Sequence, residues 1–380
     1  MKLFDVYNTF SVQLTHGKGC YLYDDEGKQY LDFYGGHAVI SIGHNHPVYR
    51  HALQDQLGKL AYYSNAIDKP IQEKLAKSLG EASHCQDYRL FMCNSGAEAN
   101  ENALKLASFA TGKSRIICFK NAFHGRTSAA VSVSDQDNLK SPLNKHNPVT
   151  KLSFGQVDEL EAALTKNDVA AVIIEIIQGV GGLHEASTHY YKKVQELCKK
   201  HKVIFIVDEV QSGWGRTGKF FAFQHHGLQP NLISMAKGMG NGFPVGGVLI
   251  DQSFSASHGM LGTTFGGNQL ACAASLAVLE TLQGEQLLIN VAEMSSFFCK
   301  RALAIPAIKA IKGRGLMLGL VFDFDVKLLR ECLVYDYQVF TGAATPKNML
   351  RILPPLTVTK KQIQEFFTAL EAALLQLNLT

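Results

Sequence analysis

Six short runs constrain this chain more than any other feature: "RIICF" (115–119), "AAVSV" (129–133), "VAAVIIEII" (169–177), "VIFIVDEV" (203–210), "NLISMA" (231–236) and "VGGVLI" (245–250). They are rich in β-branched residues and almost continuously apolar. Strands buried on both faces read this way. Amphipathic stretches lie between several of them, among them "EANENALKLASFA" (98–110), "VDELEAALT" (157–165) and "THYYKKVQELCKKH" (188–201). Strand–helix alternation of this kind predicts an α/β fold with a mostly parallel sheet covered by helices.

The two ends read differently. "CYLYDDEGKQYLDF" (20–33) predicts a hairpin of two β-rich runs around "DDEGK". The last helix, "KKQIQEFFTALEAALLQL", has apolar residues at 363, 366, 367, 370, 374 and 377, one helical face. Thr359 and Gln362 form a capping box at its start. Neither end alone has enough strands to close a core. The expected organisation is a large domain over 48–265 and a smaller α+β domain built from 1–47 and 266–380.

Composition narrows the function. With 46% hydrophobic and 18% charged residues, the chain can bury a large core and is not disordered. The net charge of +4 is spread without a basic stripe, which argues against nucleic acid as a partner. The eight cysteines form no C-x-x-C pair and suggest neither a zinc knuckle nor a disulfide framework. "MKLFDVYNTF" lacks the apolar block of a signal peptide, and no apolar run approaches membrane-spanning length. A cytoplasmic location, with no membrane partner, is expected.

From Phe220 to Ile250, Lys237 is the only formal charge. A buried ammonium is costly unless paired, and burial makes it less basic. Such a lysine can snorkel to the surface, or it can form Schiff bases with carbonyl compounds. In an open parallel sheet, ligands bind beyond the carboxyl ends of the strands. There the sequence delivers Asp208, Lys237, the group Phe123, His124, Gly125 and Arg126, and the turn "CNSGAEAN" (93–100). Together they meet the needs of pyridoxal phosphate. Lys237 supplies the amine for its aldehyde. Asp208 supplies an acid for its ring nitrogen, and Phe123 a flat neighbour. Ser95, Gly96 and Ala97 open a helix whose free N–H groups suit a phosphate.

On these residues the chain resembles the class III (subgroup II) aminotransferases of fold type I, and most closely the acetylornithine aminotransferases of arginine biosynthesis. The resemblance rests on seven blocks in order: "YLDFYGGHAVISIGHNHP" (30–47), "NSGAEANENALKLA" (94–107), "FHGRT" (123–127), "IVDEVQSGWGRTGKFFA" (206–222), "MAKGMGNGFPVGG" (235–247), "GTTFGGNQLACAA" (262–274) and "RILPPLTVT" (351–359). It implies that Gln211 bonds the cofactor's phenolic oxygen, that Val210 packs beneath its ring, and that His124 packs beside it. It implies that Thr264, with Thr263 nearby, reaches the phosphate in a neighbouring subunit, so that a homodimer is the functional unit with its active site at the interface.

The implied reaction carries the terminal amino group of N-acetylornithine or N-succinylornithine to 2-oxoglutarate. Arg126 would hold a carboxylate far from the cofactor, and Arg351 the α-carboxylate of glutamate or 2-oxoglutarate. Arginine suits planar bidentate recognition at both places. Glu175 and Gln178 keep their family positions, and Glu175 is expected to bind substrate with the two arginines. Two stretches depart from the family. Val180 in "EIIQGVGG" (175–182) replaces a glutamate that pairs, in relatives, with the arginine matching Arg351. "YGGHAV" (34–39) replaces a small-apolar sequence at the substrate mouth. An ornithine, 4-aminobutyrate or lysine aminotransferase stays open, as does a cofactor-binding regulator without catalysis. "GRGLMLG" (313–319) imitates a dinucleotide fingerprint but runs into a strand pattern, so its context fails. His44 and His46 in "GHNHP" read as loop residues rather than metal ligands.

Overall fold

The computed structural model describes residues 1–379. A seven-stranded sheet forms its centre, in the spatial order Arg89–Cys93, Gly246–Ile250, Leu232–Met235, Ile204–Asp208, Val169–Ile174, Arg115–Phe119 and Val149–Leu152. The last five are mutually parallel, and Gly246–Ile250 runs against both its neighbours. The α/β architecture with a mostly parallel sheet is therefore the one the alternating runs predict. Val169–Ile174 is buried at every position, which explains its unbroken apolar sequence. Helices Gly96–Thr111, Val157–Leu164 and Thr188–Lys200 lie where the amphipathic stretches fall.

One run is misread by its composition. "AAVSV" is not a strand but part of a short helix, Ser128–Ser132. The cause is tertiary. The Glu101 carboxylate, on helix Gly96–Thr111, accepts the backbone N–H of Ala129 at 2.9 Å and of Ala130 at 3.0 Å. This satisfies the orphan donors of a first helical turn, which outweighs the weak β preference of five small residues.

Two four-stranded sheets come from the ends of the chain. Leu14–Lys18, Tyr21–Asp24 and Gln29–Asp32 form an antiparallel meander to which Val339–Phe340 adds in parallel. The expected hairpin is its second and third strands. Asp24 closes the turn by accepting the N–H of Lys28 at 2.8 Å and of Glu26 at 3.1 Å. Ala310–Arg314, Met317–Val321, Met349–Ile352 and Gly342–Ala343 form the other sheet. "GRGLMLG" is the turn of a hairpin there, between Ala310–Arg314 and Met317–Val321.

The C-terminal helix Lys360–Gln376 carries the Thr359–Gln362 capping box and buries Ile363, Phe366, Phe367, Leu370, Ala373 and Leu374. Phe366 stacks on Phe33 with centroids 4.7 Å apart. The two ends of the chain therefore share one apolar core. Among the described residues no helix is long and apolar enough to cross a membrane.

Candidate active site

The carboxyl ends of the parallel strands open onto one cavity of about 410 Å³, within the usual range for small-molecule sites of roughly 300–1,000 Å³. Its wall contains Ser95, Gly96, Ala97, Phe123, His124, Arg126, Glu175, Asp208, Val210, Gln211 and Lys237. Eleven of the residues singled out in the sequence thus meet, from five separate segments.

Asp208 ends strand Ile204–Asp208 and is 4% exposed. Its Oδ1 accepts the Val210 N–H at 2.9 Å. Its Oδ2 lies 2.7 Å from His124 Nδ1 and accepts Asn100 Nδ2 at 2.7 Å. Three donors therefore fix the carboxylate in place. Asn100 is in turn held by Ser234 Oγ, which donates to its Oδ1 at 2.5 Å. Burial alone would lower the His124 imidazole, but the hydrogen bond and charge of Asp208 outweigh it, and the pKa is raised. His124 Nε2 is buried with no hydrogen-bond partner.

Lys237 follows strand Leu232–Met235 by one residue and has φ of 47°. A left-handed backbone at a non-glycine residue costs on the order of 1–2 kcal/mol and often marks a functional site. Burial pushes its amine down to about 8; Asp208 and Glu175 oppose the shift and Arg351 adds to it. Around neutral pH a useful fraction of this amine is the uncharged nucleophile.

The helix Gly96–Thr111 starts at the cavity. Ser95 is its N-cap and accepts the Glu98 N–H at 3.2 Å. The N–H groups of Gly96 and Ala97 remain for a ligand. Gly96 has no substitute here, because a Cβ would sit 2.5 Å from Val210 Cγ1. Phe123 donates its N–H to Glu175 Oε1 at 2.9 Å, and Gly179 donates to Glu175 Oε2 at 2.9 Å. Both carboxylate oxygens of Glu175 are thus engaged with backbone, which orients Phe123. Burial pushes Glu175 up to about 7.

Three of the singled-out residues lie outside the cavity wall. Arg351, 2% exposed, sits behind it. Its Nε donates to Ala343 O at 2.5 Å, and its Nη1 to Gly179 O at 2.8 Å and to Gln211 Oε1 at 3.4 Å. No described acid forms an ion pair with Arg351. Thr263 accepts the Gly266 N–H at 3.0 Å and Asn94 Nδ2 at 3.4 Å. Thr264 is exposed.

The mouth is shaped by an unusual turn. Gly35, Gly36, His37 and Ala38 all have positive φ, between 53° and 67°. Asp32 Oδ1 holds its start by accepting the N–H of Gly35 at 2.7 Å and of Tyr34 at 3.0 Å. Burial, then the charges of Arg351, Lys237, Arg126 and Arg330, push His37 down to about 4. His44 Nε2 pairs with Asp32 at 2.8 Å and His46 Nε2 with Glu285 at 2.9 Å. Among the described residues, no group of three or more His, Cys, Asp or Glu could hold a metal ion.

Sequence reasoning passed over Asn100 and Ser234 as individual residues. Asn100 was the readable one: a polar residue on the buried apolar face of its helix, between Ala99 and Ala103.

Residues 5–374 match the family described as aminotransferase class-III. The chain belongs to the class III aminotransferases. It is 40% identical to an acetylornithine aminotransferase of Bacillus subtilis over 98% of this chain and 97% of the relative. It is similar in structure to the N-acetylornithine aminotransferase of Stenotrophomonas maltophilia, with TM-score 0.81, 32% identity and coverage of 97% and 96%. An ornithine aminotransferase of Toxoplasma gondii, with pyridoxal phosphate at partial occupancy in its active site, aligns with TM-score 0.89, 30% identity and coverage of 98% and 92%. The cofactor of this aminotransferase is pyridoxal phosphate. The site fits it: an unpaired amine, a fixed acid, a helix N-terminus with free N–H groups, and a glycine where a Cβ would close the cradle.

Proposed function

We propose that this aminotransferase moves the terminal amino group of an N-acylornithine, N-acetylornithine or N-succinylornithine, to 2-oxoglutarate in arginine biosynthesis. The observation that carries the reading is the exposed Arg126 guanidinium on the wall of the same cavity that holds Lys237 and Asp208, with Arg351 just behind that wall against Gln211. Both substrates carry a carboxylate remote from the reacting carbon, and guanidinium groups recognise carboxylates well. Full-length relatives named acetylornithine aminotransferase support it.

When bound, the cofactor supplies an aldehyde carbon and an electron-withdrawing ring. Lys237 would hold it covalently, and, once a substrate amine takes that place, would take up and return the proton of the substrate carbon. Asp208 would hold a proton on the ring nitrogen; His124 and Asn100 keep its carboxylate aimed. Phe123 and Val210 would pack on the ring faces. Ser95, Gly96 and Ala97 would hold the phosphate, and Gln211 the phenolic oxygen. Arg126, exposed on the cavity wall, would bind the distal carboxylate. Arg351 would bind the α-carboxylate of 2-oxoglutarate by exchanging its carbonyl partners for it, with no acid to displace first. Glu175 would act through Phe123 rather than on substrate.

The proposal includes a homodimer with its active site at the interface, Thr263 and Thr264 serving the neighbour's phosphate site. It includes a large domain of 48–265, with 1–47 and 266–380 forming the small one. A cytoplasmic location is part of it, supported by eight free cysteines.

The test is glutamate formation from 2-oxoglutarate with each amino donor in turn. N-acetylornithine or N-succinylornithine should be the best donor, with ornithine and 4-aminobutyrate at least about tenfold poorer in kcat/KM, a difference of ~1.4 kcal/mol. If only ornithine or 4-aminobutyrate reacts, the substrate reading is wrong. If none reacts while the cofactor binds, the protein is a cofactor-binding regulator.

A further inference from the structure

The loop Gly262–Gly267 carries Thr263 and Thr264, yet it has little secondary structure to hold it. A polar cluster outside the cavity does so instead. Asn65 Nδ2 donates to Thr263 O and to Gly266 O, each at 3.2 Å. Gln72 Nε2 donates to Gly267 O at 2.6 Å and to Asn65 Oδ1 at 3.2 Å. Lys69, 5% exposed, donates its amine to the same Asn65 Oδ1 at 2.8 Å. That amide is its one hydrogen-bond partner among the described residues. A buried ammonium facing a single neutral acceptor is a costly arrangement, so the cluster is poorly explained by stability alone. At its other end the loop reaches Asn94. Thr263 Oγ1 accepts Asn94 Nδ2, and Asn94 also donates its N–H and its amide to Glu98 Oε2, at 3.1 and 2.9 Å. Glu98 lies in the first turn of the helix whose N-terminus lines the cavity.

We infer that Asn65, oriented by Lys69 and Gln72, is a positioning residue for the phosphate end of the cofactor site. It fixes the loop Gly262–Gly267 at two carbonyls, and the loop in turn braces Asn94 beside the helix N-terminus and holds Thr264 at the surface. The inference rests on the reading of that helix N-terminus as the phosphate cradle.

Asn65→Asp separates positioning from folding. Aspartate keeps an acceptor for Lys69 and Gln72, and so a charged partner for the buried amine, but loses both donors to the loop. The readouts are the dissociation constant of pyridoxal phosphate, by equilibrium dialysis, and the melting temperature of the cofactor-free protein. The expected result is cofactor binding weaker by about tenfold, the factor that two lost hydrogen bonds correspond to, with a cofactor-free melting temperature at or above that of the parent. Unchanged cofactor affinity overturns the inference. So does a lowered melting temperature with unchanged affinity, which marks a purely structural cluster. Should Asn65→Asp not fold, Gln72→Leu, which removes only the donor to Gly267 O and the bond to Asn65, takes its place with the same readouts. The cradle reading is tested apart from this by Gly96→Ala: if that variant binds cofactor normally, the cradle assignment fails whatever Asn65→Asp does.

Discussion

Lys237→Ala leaves a protein that no longer bonds its cofactor covalently and turns over at least about 10⁴-fold more slowly, since it removes the nucleophile and the proton carrier together. The physical reason lies in its surroundings. The amine lines the cavity, no described group hydrogen-bonds it, and desolvation by the surrounding protein brings it down to about 8. Its backbone sits at φ 47° directly after a buried strand. Absorption spectroscopy and borohydride reduction check this. The parent should show a visible band from the lysine adduct and retain label at residue 237 after reduction. The variant should show neither. In the parent without cofactor, trapping by a simple aldehyde should rise as pH passes through about 8, because the uncharged amine is the reactive form. The same desolvation sets a sign for stability. A depressed lysine pKa means the unfolded chain binds more protons between about 8 and 10.5, so the cofactor-free fold gains stability as pH rises through that window.

Asp208→Asn should lower turnover by roughly 10²–10³-fold, the usual loss when one preorganised charge is removed from a water-poor site, while leaving the cofactor bonded to Lys237. Asparagine has nearly the same shape and can still accept from Val210 N–H. It loses the charge that would keep a ring nitrogen protonated. His124 also loses the carboxylate that raises its pKa, so its imidazole falls toward the neutral form that burial favours. Kinetics and the visible spectrum read the two effects separately: the band of the lysine adduct persists, shifted, and kcat falls. A variant with full activity removes Asp208 from the site, whereas one without any lysine adduct makes it a folding residue.

How much of this was legible beforehand follows from what determines each element. Strands such as Val169–Ile174 and Ile204–Asp208 are buried on both faces, so their local sequence alone specifies them. "AAVSV" is small and ambivalent, and the helix it joins depends on Glu101, 28 residues away from Ala129. Arg89–Cys93 and Val149–Leu152 lie at the two edges of the sheet. Val149–Leu152 is of mixed polarity, and Arg89–Cys93, though mostly apolar, has no β-branched residue; neither stood out among the buried strands.

The site was more legible than its support. Asp208 and Lys237 are charges directly after apolar runs, a contrast visible in the letters. Asn100 offered a weaker sign, a polar residue in a buried stripe. The partners of Arg351 offered none: its guanidinium rests on the carbonyls of Gly179 and Ala343, and a backbone carbonyl leaves no mark in a sequence. The left-handed turn at Gly35–Ala38 was visible only as an unfamiliar string. Its two non-glycine members, His37 and Ala38, are held against their preference by Asp32 and neighbouring backbone.

The central claim is that Lys237 and Asp208 grip one pyridine ring from opposite ends of the same cavity. A crystal structure of the protein soaked with pyridoxal phosphate tests it most directly. The account predicts continuous density from Lys237 Nζ into the cofactor, with an Asp208 carboxylate oxygen within hydrogen-bond distance of the ring nitrogen and the phosphate against the N–H groups of Gly96 and Ala97. A cofactor seated elsewhere, or a ring nitrogen turned away from Asp208, would contradict it.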